Sequence, residues 1–133
     1  MFQSKYTVYV LDPDEAVCDG VRLLLDSFDI EVKAYPDAES FLAEVASNGR
    51  GCALIESQLP DVNGLALLSR LRAMGNSIPV LLLTSSNDNG LDRHAIEKGA
   101  VNVLHKPMIG EQLLQHLASI LDPTPAGLMA FKR

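Results

Sequence analysis

The sequence predicts a doubly wound α/β domain built on a five-stranded parallel sheet. Three observations carry this. Five short β-branched or leucine-rich runs recur along the 133 residues, amphipathic stretches lie between them, and several runs are apolar almost throughout. Unbroken apolar runs mark strands covered on both faces, whereas half-exposed strands alternate. Strand and helix that alternate in this way need crossover connections, hence parallel strands with helices on both sides.

The first run, "TVYVL" at 7–11, is followed by Val17, Val21, Leu24, Leu25 and Phe28 at helical period. "EVKAY" at 31–35 leads to a helix carrying Ala38, Phe41, Leu42 and Val45, and "CALI" at 52–55 to one carrying Leu67, Leu68, Leu71 and Met74. After "PVLLL" at 79–83, the segment from Gly90 to Lys98 is the weakest helix, because only Leu91, Ala95 and Ile96 can face a core; a mobile segment or an interaction surface is expected there. "VNVL" at 101–104 precedes the last helix, with Leu113, Leu114, Leu117, Ile120 and Leu121. Beyond it, "DPTPAGLMAFKR" contains two prolines and a glycine that forbid continued helix. The domain therefore spans residues 1–121, and 122–133 reads as a linker or tail that can lead to an output domain beyond it.

Composition narrows the function classes. With 47% hydrophobic and 21% charged residues, the chain can bury a core of its own as one domain. A net charge of -6 argues against direct contact with nucleic acid, which needs clustered Lys and Arg. No apolar run approaches the roughly 20 residues of a membrane span, and "MFQSKYTVYV" lacks the marks of a signal peptide, so a cytoplasmic protein is expected. Cys18 and Cys52 sit in apolar patterns and read as buried reduced thiols. His94, His105 and His116 share no ligand spacing, and no metal site is expected from them.

In this architecture, reacting groups collect at the carboxyl ends of the strands. The residues there are Asp12, Glu56, Thr84 and Lys106. Each has a plain structural reading. Asp12 with Pro13 and Glu15 fits a helix start, Asp12 capping it. Thr84 can satisfy backbone groups at a strand end. "LPDVNG" is a turn into a helix, and Lys106-Pro107 is an X-Pro bond open to either isomer. Glu56 and Lys106 can form a simple ion pair.

The ordered set "VLDPDEAV", "LIESQLPDVNG", "VLLLTS" and "KGAVNVLHKP" resembles the receiver domain of two-component response regulators, over residues 5 to about 121. The flavour is closest to receivers that precede a helix-turn-helix transcription module. The resemblance implies a (βα)5 flavodoxin-like receiver fold. In that family an Asp ending the third strand takes a phosphoryl group from a histidine kinase, and an acidic pair after the first strand holds Mg²⁺. A Thr or Ser and a Lys bind the phosphoryl oxygens, and an aromatic residue in strand five follows the Thr. By position, Glu56 stands where the accepting Asp belongs. Asp12 matches the first acid, Pro13 replaces the second, Thr84 and Lys106 match, and Val103 takes the aromatic position.

These departures fall within one mechanism. Phosphoryl transfer depends on positioning and charge neutralisation, and an extra methylene at Glu56 displaces the attacking oxygen. Mg²⁺ leans on one or two carboxylates in near-octahedral geometry, and Pro13 supplies none. Asp14 offers compensation only through water from one residue further on. Weak or absent Mg²⁺ binding and no other cofactor are expected. Two readings of Glu56 stay open: an ion pair inherited from a working site, or a carboxylate that permanently mimics the phosphoryl group beside Lys106 and Thr84.

The expected function is that of an atypical, phosphorylation-independent receiver in transcriptional regulation. It would act by self-dimerisation or partner docking through the face of the fourth helix, fifth strand and fifth helix. A receiver still phosphorylated by a histidine kinase, or a small-molecule-binding domain, are the alternatives. No nucleophile, base and oxyanion set is visible, so no enzymatic turnover is expected.

Overall fold

Five strands, β1 (Tyr6–Leu11), β2 (Ile30–Tyr35), β3 (Gly51–Glu56), β4 (Val80–Thr84) and β5 (Asn102–His105), form one sheet in the order β2-β1-β3-β4-β5. All neighbours pair in parallel. Between them run α1 (Glu15–Leu25), α2 (Ala38–Glu44), α3 (Gly64–Ala73) and α4 (Asn89–Glu97), and α5 (Gly110–Leu121) closes the domain. The computed structural model describes residues 6–28, 30–45, 51–107 and 110–121, so the expected tail at 122–133 lies outside the described residues. None of the helices described is long and apolar enough to cross a membrane.

Consecutive strand residues supply two different cores. Val8, Val10, Cys52, Leu54, Leu81 and Leu83 pack under α1 and α5 with Val21, Leu25, Leu113 and Leu117. Their neighbours Tyr9, Leu11, Ala53, Ile55, Val80 and Leu82 pack under α2, α3 and α4 with Phe41, Leu67, Leu71 and Ala95. A parallel strand buried on both faces has no polar side, which explains the runs that do not alternate. Both cysteines are buried free thiols, and burial pushes Cys52 up to about 12, an unreactive state.

Two helices differ from their sequence patterns. Met74 keeps the period of α3 but is 56% exposed, because it is the C-cap residue where the chain already turns away. The weakly patterned α4 does form. Ala95 is fully buried while Ile96 is 48% exposed, so a single small side chain anchors its middle. Its ends are better held. Asp88 caps the start by accepting from the Gly90 amide, and Gly99 ends it at φ 107°, a left-handed conformation that favours glycine. Arg72 then reaches from α3 to donate to the Gly99 and Asn76 carbonyls at 2.9 and 3.0 Å.

The chain leaves β1 on one side to form β2 and crosses to the other to form β3. This switch point places the ends of β1 and β3 beside each other at the carboxyl edge of the sheet. Immediately below it, Gly64 opens α3 against the end of β3. A Cβ there would stand 2.5 Å from the Glu56 carbonyl oxygen and 2.8 Å from the Ser57 Cα, both backbone atoms. Gly64→Ala is therefore expected to destabilise the domain by roughly 1–3 kcal/mol in urea unfolding, through overpacking.

Candidate functional site

The carboxyl edge gathers Asp12, Glu56, Thr84 and Lys106, four residues drawn from the ends of four different strands. Asp12 follows β1 and is 3% exposed. Its Oδ2 accepts from the Lys106 Nζ at 2.6 Å, and its Oδ1 accepts from the Asp14 amide at 2.9 Å. It does not cap α1. That role falls to Asp14, whose Oδ1 accepts from the Ala16 amide at 2.9 Å, and Pro13 lies ahead of the cap rather than in the first turn. The reason is energetic: a hydrogen bond to a charged group contributes about 1.5–3 kcal/mol, against about 1 kcal/mol for a typical cap. Lys106 claims Asp12, and Asp14 takes the helix end. Asp14 is exposed and committed there, so it is not part of the buried acid cluster.

Glu56 ends β3 with its side chain 9% exposed, and its Oε2 lies 3.1 Å from the Lys106 Nζ. The approach is an ion pair outside hydrogen-bond directions, which leaves the buried Oε2 without a hydrogen-bond partner. One ammonium thus serves two buried carboxylates. Burial would lower the Lys106 pKa, but the hydrogen bond to Asp12 and the contact with Glu56 outweigh it and raise the value above its ordinary range. The Lys106 backbone is fixed too, since its amide donates to the Thr84 carbonyl at 2.7 Å and the Lys106-Pro107 peptide is cis.

Thr84 is fully buried at the end of β4 and its hydroxyl is occupied. Oγ1 accepts from the Ser57 hydroxyl at 2.9 Å and from the Ser86 amide at 3.0 Å. Glu56 is engaged by Lys106 rather than by Thr84. Ser57 is the site residue that sequence reasoning missed. The signal was a hydroxyl directly after Glu56; its amide donates to the Leu83 carbonyl at 2.8 Å, which brings its side chain to Thr84. Val103 is buried in β5 opposite Leu82, within the core of α2, α3 and α4. An aliphatic side chain packed there has no ring to rotate.

These residues do not fit a Mg²⁺ ion. Asp12 has one oxygen on an ammonium and the other on an amide, Asp14 is turned to the helix, and Pro13 carries no side-chain oxygen. Among the described residues, no three His, Cys, Asp or Glu side chains converge as a metal-binding group. An ammonium wedged between the remaining carboxylates already supplies the local positive charge.

Residues 8–118 match the family model of the response regulator receiver domain. The chain is 32% identical over 118 residues to the transcriptional regulatory protein FixJ of Bradyrhizobium diazoefficiens, covering 89% of this chain and 58% of that protein. It is 30% identical to the response regulator protein TodT of Pseudomonas putida, covering 89% of this chain and 52% of the relative. The chain thus spans little more than half the length of these curated relatives. Among solved structures, the response regulator StyR superposes with a TM-score of 0.82 at 30% identity, covering 95% of this chain and 64% of that one. Full-length FixJ from B. japonicum does so at 0.79 and 32%, covering 92% and 61%.

Proposed function

Because the chain belongs to the family of response regulator receiver domains, we propose that it is an atypical member that signals without phosphorylation, through protein contact. The observation that carries this reading is the ammonium of Lys106 held between Asp12 and Glu56. In the receiver mechanism that Lys meets the phosphoryl group. Here a carboxylate one methylene longer than the usual acceptor occupies its reach. Glu56 thereby acts as a built-in anion at the switch, while Pro13 withdraws a metal ligand and Val103 withdraws the aromatic readout.

The docking face we propose is that of α4, β5 and α5, where Ile96 near the end of α4 and Val101 just before β5 are 48% and 49% exposed. The partner is a second copy or another regulatory protein. The names of the relatives support a transcriptional role. Residues 122–133 would then tether residues 1–121 to an output domain of the kind that reads DNA.

If Glu56 biases that face, Glu56→Ala changes the self-association constant, by about five-fold or more if the coupling is in the usual 1–3 kcal/mol range. Sedimentation equilibrium measures it. Self-association and transcriptional regulation both unchanged by the substitution, with the fold intact, would leave Glu56 and Lys106 as an inert ion pair.

A further inference from the structure

β5 ends on His105, whose ring is held at both nitrogens by atoms that only accept. Nδ1 lies 3.2 Å from the Ser86 carbonyl oxygen, and Nε2 lies 3.0 and 3.2 Å from the two carboxylate oxygens of Asp92. A neutral imidazole carries one N–H, so whichever nitrogen holds the proton, the lone pair of the other faces an acceptor. Only the imidazolium donates on both sides. We propose that His105 is a proton-operated latch, closed when cationic, that fastens α4 through Asp92 and the loop before α4 through Ser86 to the end of β5.

The latch matters because of what it holds. The middle of α4 has Ala95 as its fully buried anchor, and Ile96 faces outward. The loop residue Ser86 also donates its amide to Thr84, so the same latch steadies the hydroxyl at the carboxyl edge. Loss of the proton forces the ring to abandon one of its two partners. It thereby loosens either the start of α4 or the loop before it. This consequence does not depend on what Glu56 does.

The charged groups around the ring agree with the geometry. From α4, Asp92 faces Nε2; from the preceding loop, Ser86 offers only a carbonyl; from the end of β5, Lys106 turns away to Asp12 and Glu56. The hydrogen bond that Asp92 accepts from the ring raises the His105 pKa, and the Asp92 charge and the Ser86 carbonyl add to this against a smaller opposing effect of burial. A raised folded-state value means that the latch contributes fully below the unfolded value of about 6.5 and is lost as pH rises through the folded value. The ring and Asp92 are 47% and 44% exposed, so solvent reaches the proton and screens the pair.

The test is an NMR pH titration of the His105 ring in the full chain, with hydrogen exchange of the α4 amides expressed as protection factors. The midpoint should lie above about 6.5, and Asp92→Asn should raise the proton dissociation constant about two- to five-fold. Protection across α4 should fall about two- to five-fold as pH passes the midpoint, and should become flat with pH in His105→Gln. A midpoint at or below about 6.5, a midpoint unmoved by Asp92→Asn, or α4 protection that ignores the titration would each overturn the latch.

Discussion

Lys106→Ala should destabilise the domain by about 3 kcal/mol in urea unfolding, the lower end of what breaking a buried pair costs, since the lysine end is partly wetted. Removing the ammonium leaves two buried carboxylates facing a site with no cation. Asp12 keeps the Asp14 amide, but Glu56 Oε2 already lacks a hydrogen-bond partner and would lose its ion pair as well. Adding Glu56→Gln to Lys106→Ala should therefore recover a substantial part of the loss, because an amide in that place carries no charge to strand. A double substitution as unstable as the single one would show that Lys106 matters through packing alone. The pH dependence has a definite sign. With its folded-state pKa raised above the ordinary lysine value of 10.5, Lys106 contributes stability that is complete below that value and lost as pH rises through the folded one. Lys106→Ala should lack that alkaline component.

The second large effect is a gain. Pro13→Asp combined with Glu56→Asp should convert the domain into one that accepts phosphate from acetyl phosphate in the presence of Mg²⁺, read as a stable phosphate-sized mass gain. Each change restores one requirement: a second carboxylate for the ion, and an acceptor oxygen at the length the reaction needs. Misplacing a reacting group by about 1 Å can cost about 100-fold in rate, so Glu56→Asp alone addresses the position of the oxygen but not the metal. The pair together should exceed the wild-type rate by at least about 100-fold. Thr84 and Lys106 are already in place at the ends of β4 and β5, so the rest of the machinery needs no rebuilding. A doubly substituted chain as inert as the wild type would place the block elsewhere, at Val103 or in the Ser57 contact with Thr84.

Much of this was legible in the chain because burial writes itself into sequence. The strands show as unbroken apolar runs, since both faces of the sheet are covered, and the positions of Asp12, Glu56, Thr84 and Lys106 follow from where those runs stop. What the sequence could not settle depends on contacts between distant residues. Asp12 and Asp14 both stand ahead of α1 and both suit a cap; the choice is made by Lys106, 94 residues further on. Ser57 carried only the signal of a hydroxyl beside Glu56, and its bond to Thr84 spans 27 residues. The helix α4 was faint because its fully buried side chain is an alanine with Leu91 only partly buried beside the core, and its definition comes from Asp88, Gly99 and the reach of Arg72. His105 showed no ligand spacing as a sequence feature; its two acceptors become visible only when Ser86 and Asp92 fold against the end of β5.

On the proposed reading, Glu56 fills the acceptor site without accepting. The most direct test of this is to incubate the wild-type chain with Mg²⁺ and acetyl phosphate and follow the intact mass. The expected result is an unchanged mass over the period in which the Pro13→Asp, Glu56→Asp chain becomes labelled. A stable, stoichiometric phosphate-sized gain that Glu56→Gln abolishes would contradict the account.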